Sequence, residues 1–320
     1  MRLSNQKKKI SLLVPPRTGG PLGWAKNLVY QINKEQTFEA EIVTSPLRIF
    51  SSHFKSKGDI IHAAVPLACN FSKKPYILTV KGDFTIEKTI WRSLYFRAIK
   101  KADIITVPSQ YLKDRIPCLE KAVVIPNAVN LDKFKQVNLN NNKDFNLLIV
   151  SNFCFEDKTR GVINLLKIFE HLNKGMTQPG FRVTVLGDGP YKNIAEKNAA
   201  GLSNSVDFVG WADPVEYFDK ADIFTYYSYH DNMPNAVLEA MAAGLPVISN
   251  VVGALPEMIE TGVSGILVQS DEEYKDQLKQ LLINYDLRKR VGQGAREKIE
   301  TKFNWEKVVK EYIAIYQKLI

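Results

Sequence analysis

Residues 234–249, PNAVLEAMAAGLPVIS, place a helix start, a helix stop and a strand start in one short stretch. Pro234 suits a first helical turn, where a missing N–H costs nothing, and Asp231 or Asn232 can cap the free amides ahead of it. Gly244 ends the helix and Leu245 to Ile248 opens a buried strand. In between, Ala236, Val237, Leu238, Ala240, Met241 and Ala242 are apolar on nearly every side, as in a helix buried between layers. Glu239 interrupts them. A carboxylate there is costly unless donors meet it, and protein groups or ligand hydroxyls both remain open as those donors. Asp231, eight positions upstream, adds a loop carboxylate just before helix-start amides, a pattern suited to polar, hydroxyl-rich or anionic ligands.

This stretch resembles the nucleotide-sugar signature of glycosyltransferase family 4, the retaining enzymes of GT-B fold. In that signature two acidic residues eight apart flank a Gly/Pro turn and open an E-A-M-A-x-G-x-P-V helix. The resemblance implies that Glu239 holds the ribose hydroxyls of a nucleotide. It implies that Asp231, with the backbone that follows through Asn232, Met233, Pro234 and Asn235, holds the transferred sugar. Asp231 stands where a Glu is usual, one methylene shorter, and Asn232 stands where Gly is common.

Composition sets the outer bounds. At 320 residues, 45% hydrophobic and 24% charged, the chain has room for one large or two ordinary globular domains. No run reaches the ~18 apolar residues of a membrane span, and the first apolar run is too short for a signal peptide, so the expected location is cytoplasmic. Cys69, Cys118 and Cys154 lack metal-ligand spacing and are read as core residues of a reduced protein. Residues 1–135 hold 23 Lys+Arg against 10 Asp+Glu, a surplus of +13, whereas residues 136–320 hold 20 against 24, or −4. The basic half therefore suits an anionic partner or simply presents a solvated basic surface. Nucleic acid is disfavoured, because no binding motif appears and aromatic residues are not interleaved with the charges.

Short apolar strands alternate with helical segments through the first half: 10–14, 40–44, 59–63, 76–80 and 103–107. That alternation predicts a parallel, doubly wound sheet with its functional loops at the strands' C-terminal ends. Residues 15–23 read as a glycine loop before a helix at 24–33. In family 4 such a loop faces the diphosphate and acceptor, which nominates Gly19 and Gly20. Lys81 stands where many relatives carry a His near the transferred sugar, and it suits phosphate or an anionic acceptor. Asp83 and His62, both near strand ends, have structural explanations as a helix cap and a satisfied buried residue. Helix 88–101 sets Ile90, Trp91, Leu94, Tyr95, Ala98 and Ile99 against Lys88, Arg92, Arg97, Lys100 and Lys101. It can pack on the sheet or rest on an anionic membrane surface. Residues 122–129 resemble the family's V-I-P-N-G-V-D segment with Ala128 in place of Gly, and the polar stretch to residue 146 reads as a linker.

In the second half, residues 152–161 read as a loop before a helix at 162–173. Relatives clamp the donor diphosphate here with an Arg and a Lys. Asn152 takes the Arg position and Arg160 the Lys position, with Lys158 able to supply the second charge. The turn after strand 182–186 nominates Gly187 and Gly189 beside the nucleotide, and the element 206–211 nominates Gly210. Tyr226, Tyr227 and Tyr229 line the same region or pack beneath it.

The reading is an α/β protein of GT-B fold with two Rossmann-like doubly wound domains facing a central cleft. Residues 1–135 form an acceptor-binding domain, 136–303 a nucleotide-sugar-binding domain, and 304–320 a helix crossing back to the first. The expected reaction moves a sugar from a UDP- or GDP-sugar to an acceptor hydroxyl with retention. The setting implied is cell-envelope glycan, glycolipid or polysaccharide synthesis. Asp231, Arg160, Lys158 and Lys81 are the expected catalytic residues, with no metal or other cofactor. Expected partners are the nucleotide-sugar donor, a glycan, lipid-linked or anionic acceptor, and an anionic membrane surface at the inner face of the cell membrane. The alternative is a catalytically silent GT-B protein that binds a sugar nucleotide or a partner subunit.

Overall fold

The computed structural model describes residues 7–15, 20–44, 57–64, 74–86, 89–139, 144–175, 180–199 and 206–320. Two compact units result, Met1–Ala128 with Asn304–Ile320, and Val129–Phe303. The expected boundary at 135 lies seven residues too late. Composition marked a polar stretch, but backbone bonding decides membership: Val129 donates to Phe303 O and Val137 to Ala243 O, both in the second unit.

In the first unit, β1 (Lys9–Leu13), β2 (Glu39–Val43), β3 (Ile60–Ala63), β4 (Tyr76–Thr79), β5 (Ile104–Val107) and β6 (Val123–Val124) form one sheet in the order β2-β1-β3-β4-β5-β6. Every pairing is parallel. Strand alternation divides β1 between two cores. Ile10 and Leu12 join Trp24, Leu28, Trp305, Val308, Tyr312 and Tyr316 on one face, while Leu13 joins Ile61, Leu78, Phe84 and Leu112 on the other. The C-terminal helix Trp305–Gln317 therefore belongs to this unit's core.

Three helices label this half: α1 (Gly20–Glu35), α2 (Thr89–Lys101) and α3 (Gln110–Arg115). The glycine loop expected to run to residue 23 stops earlier, because Gly20 already opens α1 and Pro21 fits its first turn. Gly19 lies outside the described residues. The exposed face of α2 carries Arg92, Phe96, Arg97 and Lys100, and Tyr95 stacks on Phe84 with centroids 4.5 Å apart. Cys118 and Cys154 are exposed, against the expectation of core positions, and Cys69 lies outside the described residues. Cys118 sits in the tight turn Pro117–Leu119, where Leu119 is the residue turned inward.

The second unit repeats the plan. Strands β7 (Asp144–Val150), β8 (Gly180–Leu186), β9 (Val206–Gly210), β10 (Ile223–Tyr226), β11 (Val247–Asn250) and β12 (Ile266–Val268) line up as β12-β11-β10-β7-β8-β9, all parallel. Strand order reverses between β7 and β10, the arrangement of a Rossmann-like sheet, whose switch point opens a crevice at the strands' C-terminal ends. Helices α4 (Glu156–Gly175), α5 (Lys192–Asn198), α6 (Val215–Phe218), α7 (Asn235–Ala242), α8 (Leu255–Met258), α9 (Asp271–Ile283) and α10 (Tyr285–Lys302) complete it.

Helix α4 corrects the expectation of a loop through Gly161. It begins at Glu156, whose charge and that of Asp157 suit the positive end of a helix. Gly161 is part of the helix for a tertiary reason: a Cβ there would come within 2.1 Å of Tyr227 O, where the loop after β10 crosses.

Candidate active site

The C-terminal ends of β7 and β10 flank the switch point of the second sheet, and the candidate residues of this unit lie on the segments that follow β7, β8, β9 and β10, whereas Gly20 belongs to the first unit. After β8 the chain turns through Gly187 and Gly189, at φ +128° and +150°. Backbone crowding requires both glycines, since a Cβ on Gly187 would lie 1.7 Å from Ser151 O, and one on Gly189 2.4 Å from the Phe153 carbonyl carbon. Gly187 N donates to Gly210 O at 2.7 Å, which ties the ends of β8 and β9 together. Trp211 follows Gly210 with 83% of its surface exposed.

Helix α7 forms as its stop signals dictate, with one correction. Pro234 is the N-cap itself, at φ −69° and ψ 120°, and no side chain caps the helix. Asp231 and Asn232 are occupied elsewhere. At the other end Gly244 N donates to Met241 O at 3.0 Å and Leu245 N to Ala240 O at 3.1 Å, the paired bonds of a glycine C-cap. Arg296 of α10 adds hydrogen bonds to Ala242 O and, at 2.8 Å, to Phe134 O. Val237, Leu238, Ala240 and Met241 are fully buried, so α7 is held on its sides and at its C-terminal end.

Glu239 is the exception on that helix. Among the described residues no hydrogen bond or ion pair reaches its carboxylate. Burial, reinforced by the negative charge of Asp213 and opposed by Lys133, pushes its pKa up to about 7. A well-packed helix thus presents an acid whose ionised form lacks protein donors among the described residues, a state that hydroxyl groups of a ligand would relieve.

Asp231 is in the opposite condition. Its Oδ2 accepts from the Tyr226 hydroxyl and lies 2.8 Å from Lys158 Nζ, and its Oδ1 accepts from Asn232 N at 2.8 Å. The surrounding loop is pinned. Asn250 exchanges two hydrogen bonds with the Ser228 backbone, at 3.1 and 2.9 Å, and Ala254 N donates to Asn232 O at 2.7 Å. Met233 and Pro234 are buried and Asn235 is exposed at the first turn of α7.

The expected pair of adjacent phosphate cations is divided. Lys158 and Arg160 sit about 200° apart around α4, by helical geometry. Lys158 turns to Asp231, whereas the exposed Arg160 guanidinium lies 4.7 Å over the Tyr229 ring and 3.5 Å from Asp157. Asn152 holds a turn by accepting from Cys154 N at 2.8 Å.

In the first unit, Lys81 follows β4. It donates to Asn127 Oδ1 at 3.0 Å and lies 4.2 Å over the Trp24 ring, and burial drives its pKa well below that of a free lysine. His62 is fully buried between the hydroxyls of Tyr316 and Thr79, at 2.8 and 2.6 Å, and desolvation lowers its pKa to about 3. Asp83 accepts from Thr85 N at 2.9 Å and Arg115 Nε at 2.6 Å. Both are structural.

Tyr226, Asn250 and Arg296 are the contributors that sequence reasoning missed or left open. Tyr226 and Asn250 end buried parallel strands, and that placement was the available signal. Arg296 carried none. Among the described residues no three His, Cys, Asp or Glu side chains gather as a metal site, and no helix is long and apolar enough to cross a membrane.

A family model described as glycosyl transferases group 1 matches residues 131–298. An uncharacterized glycosyltransferase of Methanocaldococcus jannaschii is 29% identical over 304 residues, covering 88% of this chain and 76% of its own. Sucrose-phosphate synthase from Thermosynechococcus elongatus superposes with a TM-score of 0.80 at 17% identity, covering 98% of this chain and 99% of that one. Anabaena HepE in complex with UDP and glucose does so with a TM-score of 0.80 at 17% identity, over 98% and 100% of the two chains. These likenesses show the fold, two Rossmann-like domains of the GT-B class. With the family model spanning more than half of its length, the chain belongs to glycosyl transferases group 1 and is a glycosyltransferase.

Proposed function

We propose that this protein is a retaining, family 4-type glycosyltransferase that moves a hexose from a nucleoside-diphosphate donor to an acceptor hydroxyl. The observation that carries this reading is Glu239, an acid without protein donors among the described residues, on a helix whose other faces are buried. Ribose hydroxyls satisfy it. The diphosphate then meets Lys158 and Arg160, and the Gly187, Gly189 and Gly210 backbone borders the nucleotide. Asp231 and the backbone of residues 232–235 hold the sugar.

Charge developing on the leaving diphosphate is met by these cations and by helix-start amides, with no metal. The departing phosphate takes the acceptor's proton on the same face. Anabaena HepE was solved with UDP and with UDP-glucose, which makes UDP-sugars the first donors to test. Lys81 and Gly20 serve the acceptor, a cell-envelope glycan or an anionic or lipid-linked carrier. The exposed basic face of α2 suits peripheral contact with an anionic membrane from the cytoplasmic side.

A thermal-shift panel of UDP, GDP, ADP and CMP tests the nucleotide site. Stabilisation by one nucleoside diphosphate in the wild type, absent in Glu239→Ala, is expected, and equal responses in both sink the reading. The protein donors already on Asp231 favour a second reading, a silent sugar-nucleotide binder. Slow donor hydrolysis without acceptor is expected of the enzyme and excludes the binder.

A further inference from the structure

Among the described residues three protein donors converge on Asp231, and the second unit builds an unusually complete frame around them. Tyr226 closes β10 with its ring buried and its hydroxyl on Oδ2. Burial and the adjacent carboxylate push its pKa well above that of a free tyrosine, so it donates rather than shares the ionisation. Lys158 meets the same oxygen from α4, and the Asn232 N–H meets the other. The backbone carrying this acid is fixed by Asn250, by Ala254 and by the close crossing of Tyr227 over Gly161.

A carboxylate offers about four lone-pair directions, so three donors leave about one. Lys158 keeps two further N–H donors after pairing. A glutamate with free oxygens could grip two neighbouring hydroxyls of a sugar. This shorter, pre-engaged aspartate meets one. Selectivity at that hydroxyl then follows from a single rigid acceptor, since an epimer that misplaces the hydroxyl leaves a part-buried lone pair unmet.

We propose that Tyr226 is a positioning and specificity-determining residue, holding Asp231 with Lys158 so that one carboxylate lone pair meets the donor sugar. Through Lys158 the same cluster joins the sugar contact to the diphosphate contact. This inference rests on the glycosyl-transfer reading above and adds a residue that the reading does not need.

The test uses the full chain with UDP-glucose, UDP-galactose, UDP-N-acetylglucosamine, GDP-mannose and ADP-glucose, following nucleotide release, with calorimetry of the matching free nucleotide. In Tyr226→Phe, kcat for the best donor is expected to fall at least tenfold. KM and nucleotide Kd should stay within twofold, and the ratio of best to second-best donor should shrink at least threefold. Adding Tyr226→Phe to Asp231→Asn should cost less than a further twofold, because the two groups act as one. Wild-type kcat and donor ratio in Tyr226→Phe overturn the proposal. So does a parallel loss of Tm, nucleotide affinity and kcat, which marks packing alone. If Tyr226→Phe does not fold, Asp231→Asn reads the same lock: a collapsed donor ratio supports it and an unchanged ratio overturns it. A wild-type chain that releases nucleotide from none of the five donors overturns the glycosyl-transfer reading itself, and this inference falls with it.

Discussion

The second unit holds two carboxylates eight positions apart in opposite states. Glu239 rides a helix fixed on its sides and at its C-terminal end, and its carboxylate has no protein donor among the described residues. Asp231 sits in a loop, where folding alone supplies a phenol, an ammonium and a backbone amide. The contrast separates an acid that folding leaves without a donor among the described residues from one that folding has largely paired. An unmet acid raises the energy of the empty site and rewards whatever arrives with hydroxyls. A met acid contributes shape and orientation, because its charge is already balanced.

The largest expected effect breaks the contrast at the unmet side. Glu239→Ala should weaken nucleoside-diphosphate binding by at least ~100-fold, the scale of losing charge-assisted hydrogen bonds, while Asp231→Asn leaves it within about threefold. Calorimetry on both variants decides, and equal losses erase the distinction between the two acids.

A second measurement sharpens it through pH. The pKa of Glu239 rises from 4.5 to about 7 on folding, so the folded state holds the proton more tightly. Its contribution to stability is present below pH 4.5 and is lost as pH rises through 7, on the order of 3 kcal/mol in all. Glu239→Gln should therefore raise the melting temperature of the ligand-free protein at pH 8 and change it little at pH 4.5, while abolishing nucleotide stabilisation. Denaturation across that range checks the sign.

The smallest effect separates the two cations. Lys158→Ala removes a part-buried partner of Asp231 and should reduce donor turnover about tenfold or more. Arg160→Ala removes an exposed guanidinium stacked on Tyr229 and should cost about threefold. Steady-state kinetics with the best donor ranks them, and the reverse order makes Arg160 the stronger of the two diphosphate contacts.

Local chemistry made much of this legible. Strand and helix alternation foretold a parallel sheet in the first half, the resemblance implied the second, and the stop at Gly244 needed only neighbouring residues. Glu239 stood out because an apolar helix makes any acid conspicuous. The misreadings share one cause, which is contact between distant segments. Gly161 looked like a loop residue until the crossing of Tyr227 explained it, and that error hid the angle between Lys158 and Arg160. The boundary near residue 128 was masked by a polar stretch whose backbone bonds belong to the second unit.

By itself the sequence determined the layered α/β plan and the helix that carries Glu239, which rest on local periodicity, caps and turn residues, and it carried the motif whose resemblance to a family implied a nucleotide-sugar site. Only the tertiary structure decided which acid is free. Tyr226 and Lys158 reach Asp231 because β10 and α4 lie side by side at the switch point of the sheet, and hydrogen bonding there depends on distances that spacing along a chain does not encode.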